Sequence, residues 1–334
     1  MTHRIHYPTG SSRHYFDEAD ALAAGIHGGL FGVLPLDKTT FAANMSVTEL
    51  GAGLSVRSVK TSSAVAIRSE IIAQKPSITY MLPSLLGGVS IFDGKEMGSL
   101  DIVSRTTGQT PTLRTFGPNE IGVIAVERDV IERAVGSLTG KSNANALITP
   151  ASYRMEPGRY VRLQALHRAA GMLLDHYQQS ELIIERLPAL QVIRDEMLAV
   201  LAVGLAEAPG KADHLASQQQ TRSMARIDRY LDENRESLTG LQDLCLGTGF
   251  PLRTVEAIIR RHTGMPALVY LRRRRLAFVR AALLRPRQDA TVTTTAIRYG
   301  FWHLGRFSNY YKNVYCELPS ATLARSLGRP NGSR

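Results

Sequence analysis

Arg306, Asn309 and Lys312 recur at intervals of three behind a Gly300-Phe301 turn, and Arg253, Thr254, Ala257, Arg260 and Arg261 follow a similar turn at Gly249-Phe250. On a helix this spacing gathers side chains along one side. The chemistry available to such a set is hydrogen bonding and charge neutralisation, not bond breaking. Arginine can pair with guanine O6 and N7, and asparagine with adenine N6 and N7. Arg253, Thr254, Ala257, Arg306, Asn309 and Tyr310 are therefore expected at base edges. Arg260, Arg261, Arg273, Arg274 and Lys312 are expected on phosphates, which fix register without reading sequence.

Catalytic chemistry has no comparable pattern. There is no HExxH pair, and Ser84 beside Gly87 and Gly88 does not make a nucleophile elbow. No GxGxxG lies between a strand and a helix, which excludes a dinucleotide fold. His3, His6, His14, His27, His167 and His176 are scattered, and residues 54–126 contain no histidine. No catalytic residue, cofactor or metal is expected. A cupin-like metalloenzyme, the enzyme alternative, would need several ligands converging inside a barrel. The two cysteines, Cys245 and Cys316, cannot make a disulfide framework and read as small reduced core residues.

The charge is as uneven as the motifs. Residues 221–334 hold 20 Lys/Arg and 8 Asp/Glu, a net +12, whereas the whole 334-residue chain is +11 and residues 1–220 are −1. One basic module beside a neutral one points to a polyanion partner, double-stranded DNA being the simplest. No run of eighteen apolar residues appears and the first residues do not read as a signal peptide, so a cytoplasmic protein without a membrane partner is expected.

The elements that must position these side chains are legible in the C-terminal part. An amphipathic helix at 222–234 buries Ile227, Tyr230 and Leu231. A short helix capped by Thr239 follows, then the Gly249-Phe250 turn, and then a helix from Pro251 to His262 with Val255, Ile258 and Ile259 inward. A helix at 267–284 uses Leu271, Leu276, Val279 and Leu283 to join both flanking units. Its eighteen residues span about 27 Å, close to the roughly 34 Å between successive reading heads on DNA. The second unit has a helix at 291–299 with Ala296 and Ile297 inward. The turn Gly300–His303 leads to a recognition helix at 304–312 that packs through Phe307, Tyr311 and Val314. Phe301 and Trp302 are expected as core plugs.

The N-terminal part reads differently. A short helix at 16–26 precedes candidate strands at 54–59, 64–67, 78–82, 89–92, 113–116 and 121–126, with a hairpin point at Asp93-Gly94. Helical periodicity begins at Arg128 with Ile131, Ala134 and Leu138. It continues at 160–177 (Leu163, Leu166, Ala170, Leu173 and Leu174) and at 181–205 (Ile183, Leu187, Leu190, Ile193, Met197 and Leu201). The expected fold is α+β: an antiparallel β-barrel with flanking helices at 1–208, able to form a homodimer through those helices. A linker at 209–220 leads to an all-α double helix-turn-helix domain at 221–325, and 326–334 is a tail. No effector-binding residue is assigned.

At these residues the chain resembles the AraC/XylS family of transcription regulators. The resemblance runs through Gly249-Phe250, Arg253-Thr254-Val255, His262-Thr263-Gly264-Met265-Pro266, Tyr270-Leu271 and Arg275-Leu276. It continues through Ala296–Phe301, Gly305–Ser308, Tyr311-Lys312 and Glu317–Ser320. Cys245, Pro251 and Ile259 depart from the family's usual Ala, Ser and Phe. Tyr315-Cys316 stands where the family has Phe-Gly, which puts the turn at Cys316 in question. More loosely, Pro118, Ile124, Val126-Glu127-Arg128 and Leu138-Thr139-Gly140 resemble the end of an AraC-binding-like sensor domain. The resemblance implies a sequence-specific regulator, an activator of a catabolic operon that answers a small-molecule effector and meets RNA polymerase. A ligand-independent regulator or a repressor built on the same DNA-binding domain is the alternative.

Overall fold

The computed structural model describes residues 3–6, 11–26, 29–37, 40–71, 77–82, 89–106, 111–140, 152–177, 187–207, 214–237 and 240–327. The N-terminal strands are β1 (His3–His6), β2 (Ser12–Phe16), β3 (Gly29–Pro35), β4 (Ala43–Gly51), β5 (Leu54–Thr61), β6 (Val65–Ile71) and β7 (Ser77–Leu82). They continue as β8 (Ser90–Phe92), β9 (Lys95–Met97), β10 (Asp101–Thr106), β11 (Thr112–Thr115), β12 (Asn119–Glu127) and β13 (Ser152–Arg154). Helix α1 (Ala19–Gly25) interrupts them early; α2 (Arg128–Thr139), α3 (Pro157–Tyr177) and α4 (Leu187–Glu207) come late.

The strands form two antiparallel sheets. One has eight strands in the order β1-β2-β4-β5-β12-β7-β10-β13, the other five in the order β3-β6-β11-β8-β9. The expected antiparallel domain thus stands as two sheets, and among the described residues no ladder closes them into a ring. Period-2 alternation explains why two layers suffice. On β12, Ile121 and Val123 point towards the small sheet and its Phe92 and Leu113. Ile124 and Val126 point the other way, into a core with Val56 and Tyr80, Ile131 and Val135 of α2, Leu163 and Leu166 of α3, and Met197 and Leu201 of α4. Register is fixed from both sides, Ile124 lying opposite Val56 on β5 and Tyr80 on β7. Between the sheets, Phe16, Leu22, Val33, Met45, Val59 and Val65 fill the space.

Asp93-Gly94 is the β8–β9 turn, with φ of +48° and +77°. That pair of positive angles suits a two-residue hairpin, and glycine takes one of them without strain. Leu138 is corrected to the surface, because Ile131 and Val135 set the buried stripe of α2. Ile183, like the cap Thr239, lies outside the described residues, as do the side chains of Leu174 and Leu187.

The C-terminal domain is helical: α5 (His214–Glu233), α6 (Leu241–Thr248), α7 (Leu252–Thr263), α8 (Ala267–Leu284), α9 (Val292–Arg298), α10 (Leu304–Tyr315) and α11 (Pro319–Ser326). The segment read as a linker is helical from His214 onward, where Leu, Ala and Gln favour a helix. Pro251 caps α7 from just outside it, one position earlier than expected. Cys316 is not a core residue. It is exposed at the C-terminus of α10 with φ +56°, so a side chain occupies a left-handed cap that glycine would fill without steric cost.

Candidate nucleic-acid interface

Each recognition helix is held by its own small core. Val255 and Ile259 on α7 pack with Ile227 and Leu231 of α5, Leu244 of α6 and Leu271 of α8. Phe307, Tyr311 and Val314 on α10 pack with Ala296, Phe301 and the later part of α8, Leu276, Val279 and Leu283. Helix α8 belongs to both cores, so one rod joins the two units. Gly249 and Gly264 bracket α7 with φ of +66° and +70°, the left-handed caps that end one helix and turn the chain into the next.

Burying these stripes leaves the opposite faces outward. On α7, Arg253, Thr254, Ala257, Arg260 and Arg261 are exposed; on α10, Arg306, Asn309 and Lys312 are exposed. Tyr310 is half-buried, with the Arg272 guanidinium 4.2 Å over its ring. Trp302 is corrected from core plug to surface residue at 70% exposure, whereas Phe301 is the plug. Ile297 is also partly exposed, leaving Ala296 as the buried anchor of α9.

Two phosphate candidates point elsewhere. Arg273 donates to the carbonyls of Pro35 and Leu36 on the N-terminal domain, the latter at 3.2 Å. Arg274 reaches Asp232 on α5 at 2.6 Å and retains only 13% side-chain exposure. The four-arginine run is therefore divided by helical geometry: residues three apart lie only about 60° apart around the axis, and the two between them fall on the other side. Arg273 and Arg274 turn to the docking side, and Arg272 and Arg275, three apart, turn to the cleft between the two units. Sequence reasoning missed that pair, although the i, i+3 spacing within the run was visible.

The docking side is a polar seam with the small sheet. Arg68 on β6 meets Asp232 at 2.6 Å and Asp228 at 3.6 Å, and Tyr270 donates to Asp228. His262 Nδ1 lies 2.9 Å from Thr112 Oγ1, and Thr112 Oγ1 and its backbone N–H both face Asp93. The Arg261 stem passes over Gly94, where a Cβ would come within 2.7 Å of Arg261 Cγ. Burial holds His262 below the ordinary imidazole pKa; Arg261 adds to the depression, while Asp93 and Asp228 oppose it. The neutral ring is thus favoured in the folded state. Its contribution is complete above the unfolded value of roughly 6.5 and is lost as pH falls through the lowered folded value. Between pH 7.5 and 5.5 the melting temperature should fall more for the wild type than for His262→Gln; parallel curves would remove His262 from the pH response.

Two histidines of the N-terminal domain are held by hydrogen bonds. His167 Nε2 lies 2.8 Å from the Arg57 carbonyl, and His14 bonds Ser12 at 2.9 Å. Among the described residues no group of His, Cys, Asp or Glu is arranged to hold a metal.

With this geometry established, comparison with known proteins is decisive for the C-terminal half. Residues 244–325 match the model of a helix-turn-helix domain. The "XylDLEGF operon transcriptional activator 2" of Pseudomonas putida is 35% identical over 100 residues, which cover 30% of this chain and 64% of that protein. The C-terminal half thus carries a helix-turn-helix domain. The "XylDLEGF operon transcriptional activator 1" of Pseudomonas putida is 34% identical over 104 residues, 31% of each chain. The chain thus spans less than two thirds of the length of these relatives. The AraC-like transcriptional activator CuxR is similar at 16% identity and TM-score 0.40, over 84% of this chain and 95% of that one. No helix among the described residues is long and apolar enough to cross a membrane. The two outward faces, on α7 and α10, both lie within the matched segment.

Proposed function

We propose that the chain is a sequence-specific, DNA-binding transcription regulator, an activator of a catabolic operon whose response depends on a small-molecule effector. The observation that carries the reading is the pair of exposed recognition faces, on α7 and α10, fixed to one rod, α8. Arg253, Thr254, Ala257, Arg306, Asn309 and Tyr310 are assigned to bases, and Arg260, Arg261 and Lys312 to phosphates. Activation of an operon is supported by the names of the Pseudomonas putida relatives, and it implies contact with RNA polymerase.

Effector sensing is supported by a groove of about 300 Å³ on the N-terminal domain. It lies on the helix-covered face of the large sheet, not between the sheets, where side chains fill the space. Arg13, Lys60, Glu120, His167 and Arg168 line it beside Val56 and Met172. Pockets of this size accept small ligands oriented by a few polar groups. A homodimer is supported by α3, on which Val161 and Met172 are 61% and 63% exposed on one side.

The test starts from a duplex selected from a random library by the purified wild-type chain. Arg306→Ala or Asn309→Ala should relax preference at one base pair by about 1–3 kcal/mol, the worth of a bidentate base contact. Fluorescence anisotropy on the selected duplex and its single-base variants measures this. Unaltered preference in both variants would remove α10 from base reading, and a selection that enriches no sequence would overturn the regulator reading.

A further inference from the structure

Between the two helix-turn-helix units lies a second groove, of about 310 Å³. Leu271 and Phe307 form part of its apolar floor, Arg272, Arg275 and Arg306 supply charge, and Trp302 stands exposed beside it. No acidic residue lines it among the described residues. The nearby Asp243 carboxylate accepts the Gly240 N–H at 3.0 Å, and its charge also acts on Arg275. The Arg272 guanidinium lies over the Tyr310 ring, which steadies its plane while leaving its N–H edge available to acceptors.

We propose that this groove is a third contact with the duplex, holding the phosphodiester backbone where it passes between the two major-groove segments. The inference rests on the DNA-binding reading above and extends it to residues outside both recognition helices. The geometry follows from the rod. Two reading heads on one helix of about 27 Å must enter neighbouring major-groove segments. The backbone that separates those segments then passes the middle of the rod, where Arg272 and Arg275 turn outward. Duplex DNA presents a phosphate charge every 1.7 Å or so along its axis, so a cationic cleft at that point meets anions whatever the sequence. Arg273 and Arg274 cannot serve here because both are engaged on the opposite side of α8. The groove therefore adds affinity and register, not base preference.

The experiment measures anisotropy on the selected duplex and on a scrambled duplex across a potassium chloride series, for the wild type and for the Arg272→Gln/Arg275→Gln double variant. Circular dichroism and melting temperature check that the variant is folded. Both duplexes should lose affinity by the same factor, about tenfold, and the slope of log K against log salt should become shallower by about 1–2, since each lost phosphate contact removes roughly 0.9. The Arg272→Lys/Arg275→Lys variant keeps the charge and should restore the slope. A folded Gln variant with wild-type slope and affinity would overturn the inference alone. Selective loss on one duplex would convert the pair into base readers and also overturn it. A wild type that binds neither duplex would overturn the DNA-binding reading, and this contact with it.

Discussion

Replacing Arg280 with methionine should lower the folding free energy by about 3–5 kcal/mol, the usual consequence of removing one partner from a buried ionic cluster. Arg280 is 6% exposed in its side chain and meets Glu317 at 2.7 Å, Glu18 at 2.9 Å and Asp20 at 3.7 Å. Its guanidinium also lies 4.3 Å over the Tyr315 ring. Glu18 and Asp20 belong to the start of α1, whereas Arg280, Tyr315 and Glu317 belong to the second helix-turn-helix unit, so one cation joins the two domains. Without it, three carboxylates face one another with Arg325, half exposed, as the remaining cation on Glu18 and Glu317. Methionine fills much of the volume but answers none of the charge. Denaturant titration should therefore show a large fall in midpoint for Arg280→Met. The fall should be smaller when Glu18→Gln and Asp20→Asn are already present, because two of the stranded charges are then gone. Equal losses in both backgrounds would mean that Arg280 acts through its own unit only, and a loss below about 1 kcal/mol would mean that water screens the cluster.

The C-terminal helices were legible because their signals are local. Helix α8 has the bounds that its apolar spacing predicts, Ala267–Leu284, and the glycines at 249 and 264 take the left-handed angles that end helices. Phe307, Tyr311 and Val314 are buried for the same reason, each about one turn from the next. The N-terminal sheet was half legible. The six candidate strands correspond to β5, β6, β7, β8, β11 and β12, where β-branched residues are dense. Strand β4 was missed although Ala43, Met45 and Val47 alternate with Asn44, Ser46 and Thr48, the period of a strand with one buried face, and these three polar residues line the groove of the N-terminal domain. Strand β10, opened by Asp101, carries no such alternation and was also missed.

The exposed faces of α7 and α10 follow from helical periodicity, but the fate of Arg273 and Arg274 does not. Their partners, Pro35, Leu36 and Asp232, are far away in sequence, and only the docking of two domains brings them together. A basic run read alone looks like a polyanion site on every side. Folding divides it into a docking half and a half that lines the cleft between the two units. Trp302 shows the converse: an aromatic beside a buried Phe301 reads as core, yet its place before α10 turns it outward.

The seam around Asp228 should prove as sensitive as the Arg280 cluster. Asp228 is 1% exposed, lies 3.6 Å from Arg68 of β6, and accepts the Tyr270 hydroxyl from α8. One turn further along α5, Asp232 accepts both Arg68 and Arg274 at 2.6 Å. Two carboxylates and two guanidinium groups thus fasten the small sheet, α5 and α8 at one point. Asp228→Ala strands the buried Tyr270 hydroxyl and weakens the hold on Arg68, and should cost about 3–5 kcal/mol by chemical denaturation. Asp228→Asn still accepts from Tyr270 and should cost less, the difference measuring the charge alone. Arg68→Ala separates the domain contact from the rest, because it leaves the Tyr270–Asp228 and Arg274–Asp232 bonds inside the helical domain intact. Hydrogen exchange should then quicken along β6 and leave α8 protected. Equal quickening of β6 and α8 would instead mean that the helical domain depends on the sheet for its own order, and that the two units do not open independently at this seam.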